Sequence, residues 1–195
     1  MGNQLTRLNV ENFRSLADVS IDIRPVNVLF GPNGSGKSTL LEATRLLRDC
    51  ISRDVEEAVR IRNNGFGMLR QGVDEWRGIK IGMETALAGY ALRLGFSRGQ
   101  IEPYAGEVLY SPGKFGDPLM FRRIGRDEAD FCYCDKISPV LTRLIFPEKL
   151  ALIQYMQRKE HTPQAVFALR RQLNSIHFYH SHYIDLSQLK HRGSE

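Results

Sequence analysis

An α/β fold that joins a strand–turn–helix core to an antiparallel β-subdomain and a following helical segment is what this 195-residue sequence predicts. Three observations carry that prediction. The first forty residues alternate apolar and polar side chains with the period of strands, a glycine-rich turn within them leads directly into a run with helical spacing, and from about residue 77 the period returns to two.

Taken in order, Leu8 and Val10 alternate with Arg7, Asn9 and Glu11, and Val19, Ile21 and Ile23 alternate with Ser20, Asp22 and Arg24, which predicts two neighbouring half-buried strands. Val26-Asn27-Val28-Leu29-Phe30 is short, mostly apolar and β-branched, and reads as a central strand covered on both faces. From Lys37 to about Ile61, Leu40, Ala43, Leu47, Cys50 or Ile51, Val55 and Ala58 or Val59 recur at helical spacing, predicting one long amphipathic helix. Asn63-Asn64-Gly65-Phe66-Gly67 ends it with residues that tolerate left-handed backbone.

Ile79, Ile81 and Met83, then Tyr90, Leu92, Leu94 and Phe96, predict a hairpin turned at Gly89, and short strands broken by glycine and proline continue to about Cys134. Ser138-Pro139 and Thr162-Pro163 each place a capping residue before a proline suited to the first helical position. Ala165 or Val166, Leu169, Leu173 and Ile176 form the apolar stripe of the second of these helices. The expected organisation is a single lobe, residues 1–195: a core over 1–62, a β-subdomain over 63–136, a helical segment over 137–176, and a returning strand and tail over 177–195.

Composition bounds the function classes. A net charge of +5 and a pI near 9.2 favour polyanionic neighbours without requiring them. No apolar stretch approaches the ~18–20 residues that span a bilayer, and the start of the chain lacks a basic segment followed by an apolar one. Three cysteines, Cys50, Cys132 and Cys134, are too few for a disulfide framework. The expectation is a soluble cytoplasmic protein with no membrane partner.

Gly31-Pro32-Asn33-Gly34-Ser35-Gly36-Lys37-Ser38 fits G-x-x-x-x-G-K-[ST] at every fixed position, between an expected strand and an expected helix. Glycines at 31, 34 and 36 let successive main-chain N–H groups turn inward around an anion, and the helix starting near Lys37 adds its positive dipole end. In this P-loop, Lys37 would reach the β- and γ-phosphates of a nucleotide, the Ser38 hydroxyl would ligate Mg²⁺, and Thr39 would lie near the α-phosphate. A cradle alone does not choose between hydrolysis, phosphotransfer and binding.

Leu8-Asn9-Val10-Glu11-Asn12-Phe13-Arg14-Ser15-Leu16, followed by Val28-Leu29-Phe30-Gly31-Pro32-Asn33-Gly34-Ser35-Gly36-Lys37-Ser38-Thr39-Leu40-Leu41-Glu42-Ala43, resembles the N-terminal lobe of the ABC-type P-loop ATPases of the RecF, RecN and SMC group. Within that group it is similar in style to the prokaryotic AAA-labelled ATPases related to the overcoming-lysogenization-defect (OLD) proteins, many from mobile elements and defence systems. The resemblance covers about residues 4–48, and Ile176-His177-Phe178-Tyr179 is similar to the strand that precedes the second half of those domains.

The resemblance implies an ABC/SMC-like head lobe binding ATP and Mg²⁺ at Gly31 to Thr39. Asn33 matches an asparagine kept at the third position of the loop. Arg14 matches a basic residue that lies near the nucleotide phosphates or bound DNA; read from the residues alone, it is equally a solvated arginine after a strand. The heads of this group also carry a glutamine that touches Mg²⁺ and the attacking water, for which Gln71 is the first candidate, with Gln100 and Gln154 behind it.

An apolar strand ending in Asp-Glu and a Ser-Gly-Gly signature, both needed by such heads, are not visible in these residues. Asp74-Glu75 and Asp127-Glu128 lack an apolar run before them and read as surface charges. The implied partners are a second copy of the head or a partner ATPase or nuclease subunit, and DNA.

His177, His180, His182 and His191, and Cys132 with Cys134, lack the spacing of a metal site and read as ordinary strand residues. Arg122-Arg123-Arg126, Arg158-Lys159, Arg170-Arg171 and Lys190-His191-Arg192 are scattered basic groups that could track a phosphate backbone or simply be solvated. The functional expectation is an ATP-binding lobe coupling ATP binding or hydrolysis to a DNA-related process such as repair, a mobile element or phage defence. The alternatives are a non-hydrolysing nucleotide-binding module that completes a partner complex, and a small-molecule P-loop kinase, against which the large β-rich insert speaks.

Overall fold

The computed structural model of the chain describes residues 4–53, 55–110, 118–123, 128–131, 140–143, 150, 152 and 164–178. Their main elements are β1 (Leu5–Phe13), β2 (Leu16–Asp22), α1 (Lys37–Ser52), α2 (Val55–Arg60), β3 (Ile79–Thr85), β4 (Gly89–Ser97), β5 (Gln100–Tyr110), β6 (Pro118–Arg123), β7 (Glu128–Phe131), β8 (Val140–Arg143) and α3 (Gln164–Asn174), with short 3-10 turns at Asn63–Gly65 and Glu75–Arg77. The strands form one sheet in the order β2-β1-β3-β4-β5-β6-β7-β8, every neighbouring pair antiparallel. The expected antiparallel β architecture is therefore present. β1 pairs with β3, so the sheet spans both sides of the boundary expected at 62–63.

Strand alternation decides which side of this sheet is covered. Leu8 and Val10 of β1, Ile79, Ile81 and Met83 of β3, and Tyr90, Leu92 and Leu94 of β4 are buried in a single core with Leu40, Ala43, Leu46, Leu47 and Cys50 of α1. Val166, Leu169 and Leu173 bring α3 onto the same core, and Ile176 packs against it half-buried, as the apolar stripe predicted. Glu107 is buried, accepting from the Tyr90 hydroxyl at 2.9 Å, the Arg123 guanidinium at 3.4 Å and the Leu152 amide at 3.1 Å. Those partners are what make such burial tolerable.

Several expectations need correction. The largest concerns 26–30, which form no strand: Val26 is 79%, Val28 76% and Phe30 91% exposed. The physical reason lies in the preceding turn. Pro25 supplies no N–H, and Asn27 closes a side-chain loop on Arg24, with its Oδ1 accepting from the Arg24 amide at 3.1 Å and its Nδ2 donating to the Arg24 carbonyl at 2.6 Å. The chain is thereby led away from β2, and no described strand lies beside it.

The single long helix is two. Arg53 is extended at φ −130°, ending α1, and the Ser52 hydroxyl bonds back to the Arg48 carbonyl at 2.6 Å. The β3–β4 turn is made before Gly89, where the Thr85 hydroxyl receives the amides of Leu87 and Ala88; Gly89 itself opens β4, and a β-carbon there would lie 2.3 Å from the Tyr110 ring. The helix expected from Pro139 is replaced at 140–143 by β8, whose Val140 pairs with Phe131. Ile176–Phe178 carry no strand pairing, and Tyr179 onward lies outside the described residues. No helix among the described residues is long and apolar enough to cross a membrane.

Candidate functional site

The loop from Gly31 to Gly36 takes the shape that its glycines permit. Gly31, Gly34 and Gly36 have φ of +147°, +82° and +92°, torsions that residues with a β-carbon rarely adopt. A turn closes inside it where the Ser35 amide donates to the Pro32 carbonyl at 3.3 Å. α1 begins at Lys37, and the first intrahelical bond runs from the Leu40 amide to the Gly36 carbonyl at 2.9 Å. No side chain caps this end and no acidic residue stands in the first turn. The opening amides and the positive end of the helix dipole are thus left to an anion.

Lys37 turns back into the loop. Its ammonium donates to the carbonyls of Gly31 at 2.9 Å and Pro32 at 2.7 Å and to the Ser35 hydroxyl at 3.2 Å. The ammonium is therefore drawn onto the turn by three hydrogen bonds while staying open to solvent.

The hairpin between β1 and β2 closes over this loop. Its two-residue tip is Arg14 and Ser15, with Phe13 paired to Leu16. Arg14 sits at φ +50°, and its amide donates to the Met68 carbonyl at 2.7 Å. The guanidinium reaches α1, where Nη2 lies 2.9 Å from Glu42 Oε1. Ser15 Oγ is 3.4 Å from Thr39 Oγ1.

Together these elements enclose a cavity of about 410 Å³ lined by Arg14, Ser15, Asn33, Gly34, Gly36, Lys37, Ser38 and Thr39. Of the residues picked out in the sequence, Arg14 and most of the loop are thus brought together, and Gly31, Pro32 and Ser35 form the back of the loop on which Lys37 rests. Gln71 does not line the cavity. It is exposed in the turn after Leu69, and the neighbouring Arg70 amide is held by the Asn12 carbonyl at 2.9 Å. Ser15 and Glu42 were missed as site residues; Glu42, four residues after Ser38, shares a helix face with it, a spacing that could have pointed to it.

The residues present fit a nucleotide with its metal. A β-carbon at Gly34 would meet nothing within 4 Å, so the loop stands open there, and the donor set is all N–H, hydroxyl, ammonium and guanidinium. Ser38 is the exposed hydroxyl that would hold Mg²⁺ together with phosphate oxygens. Among the described residues no cluster of three or more His, Cys, Asp or Glu could hold a metal ion by itself.

A second cavity of about 710 Å³ opens on the same face of α1, lined by Ser38, Leu41, Glu42, Arg45, Arg48, Asp49, Ile61, Arg62 and Phe178. The guanidinium carbons of Arg45 and Arg48 each lie 4.9 Å from the Phe178 ring centre, and Arg48 Nη1 donates to the Ile176 carbonyl at 3.3 Å, fixing that segment on α1. Burial opposes the charge of Asp49, but hydrogen bonds from Arg62 and Arg48 outweigh it and hold the carboxyl below the usual range. Burial pushes the Cys50 thiol up to about 12, so this cysteine is an inert part of the core.

The weaker constellations dissolve or fall elsewhere. Asp74 accepts from the Trp76 indole at 3.2 Å and Glu75 from the amides of Arg98 and Gly99, surface ties as expected. His177 is exposed, with Nδ1 2.8 Å from the Ser175 carbonyl. Gln100 is exposed at the start of β5. Cys132, Cys134, His180, His182, His191, Gln154, Arg126, Asp127 and Lys190 lie outside the described residues.

Comparison with known proteins agrees with the resemblance read from the motif. Residues 4–72 match the family described as AAA ATPase domain. The chain is 33% identical over 101 residues, 46% of its length, to the DNA replication and repair protein RecF of Acinetobacter baylyi, of which the match covers 25%. It is 52% identical over 44 residues to RecF of Acinetobacter baumannii, covering 22% of this chain and 12% of that protein. It is 46% identical over 43 residues to the OLD nuclease of Thermus scotoductus, covering 22% of this chain and 8% of that protein. The matches thus span about a quarter or less of these curated relatives.

Proposed function

We propose that residues 31–39 bind the triphosphate of ATP with Mg²⁺, and that these residues belong to the ATP-binding lobe of an ABC/SMC-like head that couples nucleotide binding or hydrolysis to a DNA-related process. The observation that carries the reading is the Lys37 ammonium, gathered over the Gly31 and Pro32 carbonyls at the uncapped start of α1. Main-chain N–H groups of the loop and first helical turn would hold the phosphates, Lys37 would neutralise their terminal charge, and Ser38 would ligate Mg²⁺. Asn33 and Arg14, which line the same cavity, would add polar contacts to the bound phosphates. Mg²⁺, when bound, would supply neutralisation of phosphate charge.

Completion of the lobe by further protein, a second head or a partner ATPase or nuclease subunit, is part of the proposal. Its support is 26–30, an apolar segment leading into the loop with three side chains more than three-quarters exposed. The likeness to RecF and to the OLD nuclease supports DNA as the polymer served, and the basic balance of the chain is compatible with it.

A second reading, a nucleotide-binding module that does not itself hydrolyse, is favoured by a specific feature: no described carboxylate lines the 410 Å³ cavity to orient an attacking water. Calorimetric titration with a non-hydrolysable ATP analogue, with and without Mg²⁺, tests the common core of both readings. Saturable binding that tightens with Mg²⁺ is expected, and no binding under either condition contradicts it. Phosphate release from ATP by the same preparation then separates them: turnover supports the ATPase reading, binding without turnover the second, and transfer only to an added small acceptor would point to a kinase.

A further inference from the structure

Arg14 is held at the mouth of the cavity by an arrangement that an arginine would not adopt without constraint. It occupies the first position of a two-residue hairpin tip with φ +50°, left-handed backbone that glycine and asparagine tolerate best. Asn12, two residues earlier, is also left-handed at φ +58°. Main-chain bonds pin both: the Arg14 amide to the Met68 carbonyl at 2.7 Å, and the Asn12 carbonyl to the Arg70 amide at 2.9 Å. The result is a guanidinium that lines the same cavity as Lys37, Ser38 and Thr39.

Its counter-charge comes from the helix that starts in the phosphate loop. Glu42 is four residues after Ser38 and three after Thr39, so its carboxylate rises on the face of α1 that carries those hydroxyls. Arg14 Nη2 and Glu42 Oε1 are 2.9 Å apart, with both side chains partly in solvent, so the pair is accessible to competition. A terminal phosphate at the loop would offer the guanidinium a more highly charged acceptor than the carboxylate it now meets.

We propose that Glu42 is a positioning residue that keeps Arg14 in reserve: the carboxylate holds the guanidinium beside the phosphate loop until the terminal phosphate of a nucleoside triphosphate takes it over. The pair is then a gauge of phosphate number. A triphosphate gains Arg14 at the expense of the ion pair, whereas a diphosphate, one phosphate shorter, leaves the pair closed. This rests on residues 31–39 being the nucleotide site.

The test is equilibrium binding of fluorescent, non-hydrolysable tri- and diphosphate analogues to the full chain and to Glu42→Gln, Arg14→Ala, the double variant and Lys37→Ala, with melting temperatures recorded for each. Glu42→Gln frees the arginine and should tighten triphosphate binding about three- to fivefold, while diphosphate binding changes less than twofold. Arg14→Ala should weaken triphosphate binding and remove the effect of Glu42→Gln in the double variant. Glu42→Ala, which also removes the charge, covers the case in which Glu42→Gln does not fold, and should raise the ratio of triphosphate to diphosphate affinity in the same way, an unchanged ratio counting against the proposal. An unchanged ratio in Glu42→Gln, equal weakening of both ligands, or the same Glu42→Gln effect without Arg14 would overturn the proposal. Undiminished binding by Lys37→Ala is a different outcome, because it removes the nucleotide site itself.

Discussion

A β-carbon on Gly36 would lie 2.8 Å from Leu16 Cδ2, so the tip of the first hairpin is seated on the last residue of the phosphate loop. The two parts of the sequence that carry the family resemblance are thus one physical unit. Leu16 is buried as part of the core, and Gly36 has φ +92° where α1 starts.

Gly36→Ala should therefore fail twice, through the contact and through the torsion. We expect a stability loss of about 1–2 kcal/mol from the left-handed backbone alone, with a further loss from the clash and with nucleotide binding abolished. Gly34→Ala, which has the torsion but no neighbour within 4 Å, should lose only the first part. Urea unfolding of both variants separates the two contributions.

Asp49 bridges α1 to the turn after α2, accepting from Arg48 Nη2 at 2.7 Å and Arg62 Nη2 at 2.5 Å. Its carboxyl is held below the ordinary value of ~3.9. A depressed carboxyl contributes stability that is complete above its unfolded pKa and is lost as pH falls through the folded one. Asp49→Asn should cost roughly 3 kcal/mol at pH 7, and the gap between variant and wild type should narrow below pH ~4. A gap independent of pH would remove the ion-pair account.

Much of this was legible beforehand, for reasons visible in particular residues. Period two placed β1 through β4 because Leu8, Val10, Ile79, Ile81, Leu92 and Leu94 all face one core, and the spacing of Val166, Leu169 and Leu173 placed α3. The loop was legible because glycine torsions and a lysine at fixed spacing are local chemistry. What failed depended on neighbours. Val26–Phe30 has the composition of a buried strand, but composition cannot supply the strand beside it. Arg53 has helix-compatible chemistry, and its extended backbone, which parts α1 from α2, is not written in the apolar spacing. Glu42 was marked only by its spacing from Ser38, because its partner Arg14 is brought to it by the fold from another element.

Exposure predicts opposite outcomes for two apolar residues near the loop. Leu47 is fully buried, so Leu47→Ala should cost about 2–5 kcal/mol. Phe30→Ser removes a ring that is 91% exposed and should change the stability of this chain by less than about 0.5 kcal/mol, while reducing binding of an apolar dye. A loss near that of Leu47→Ala would mean that Phe30 is packed in solution.

Cys50 should resist alkylation. Burial raises its thiol to about 12, so the thiolate is scarce at pH 8 and the sulfur is sealed in the core. A raised pKa contributes stability that is complete below the unfolded value of ~8.5 and lost as pH climbs toward the folded one. Iodoacetamide at pH 8, followed by peptide mass spectrometry, should label the Cys50 peptide only in denaturant. Labelling at equal rates in native buffer would contradict the buried assignment.

The most direct measurement is the affinity of the Lys37→Ala variant for a labelled ATP analogue in Mg²⁺, beside the unmodified chain. Loss of the ammonium that rests on Gly31 and Pro32 should weaken binding by roughly 10- to 100-fold, the worth of a charge-assisted contact, with the melting temperature of the ligand-free protein nearly unchanged. Binding as tight as that of the wild type would contradict the account at its centre.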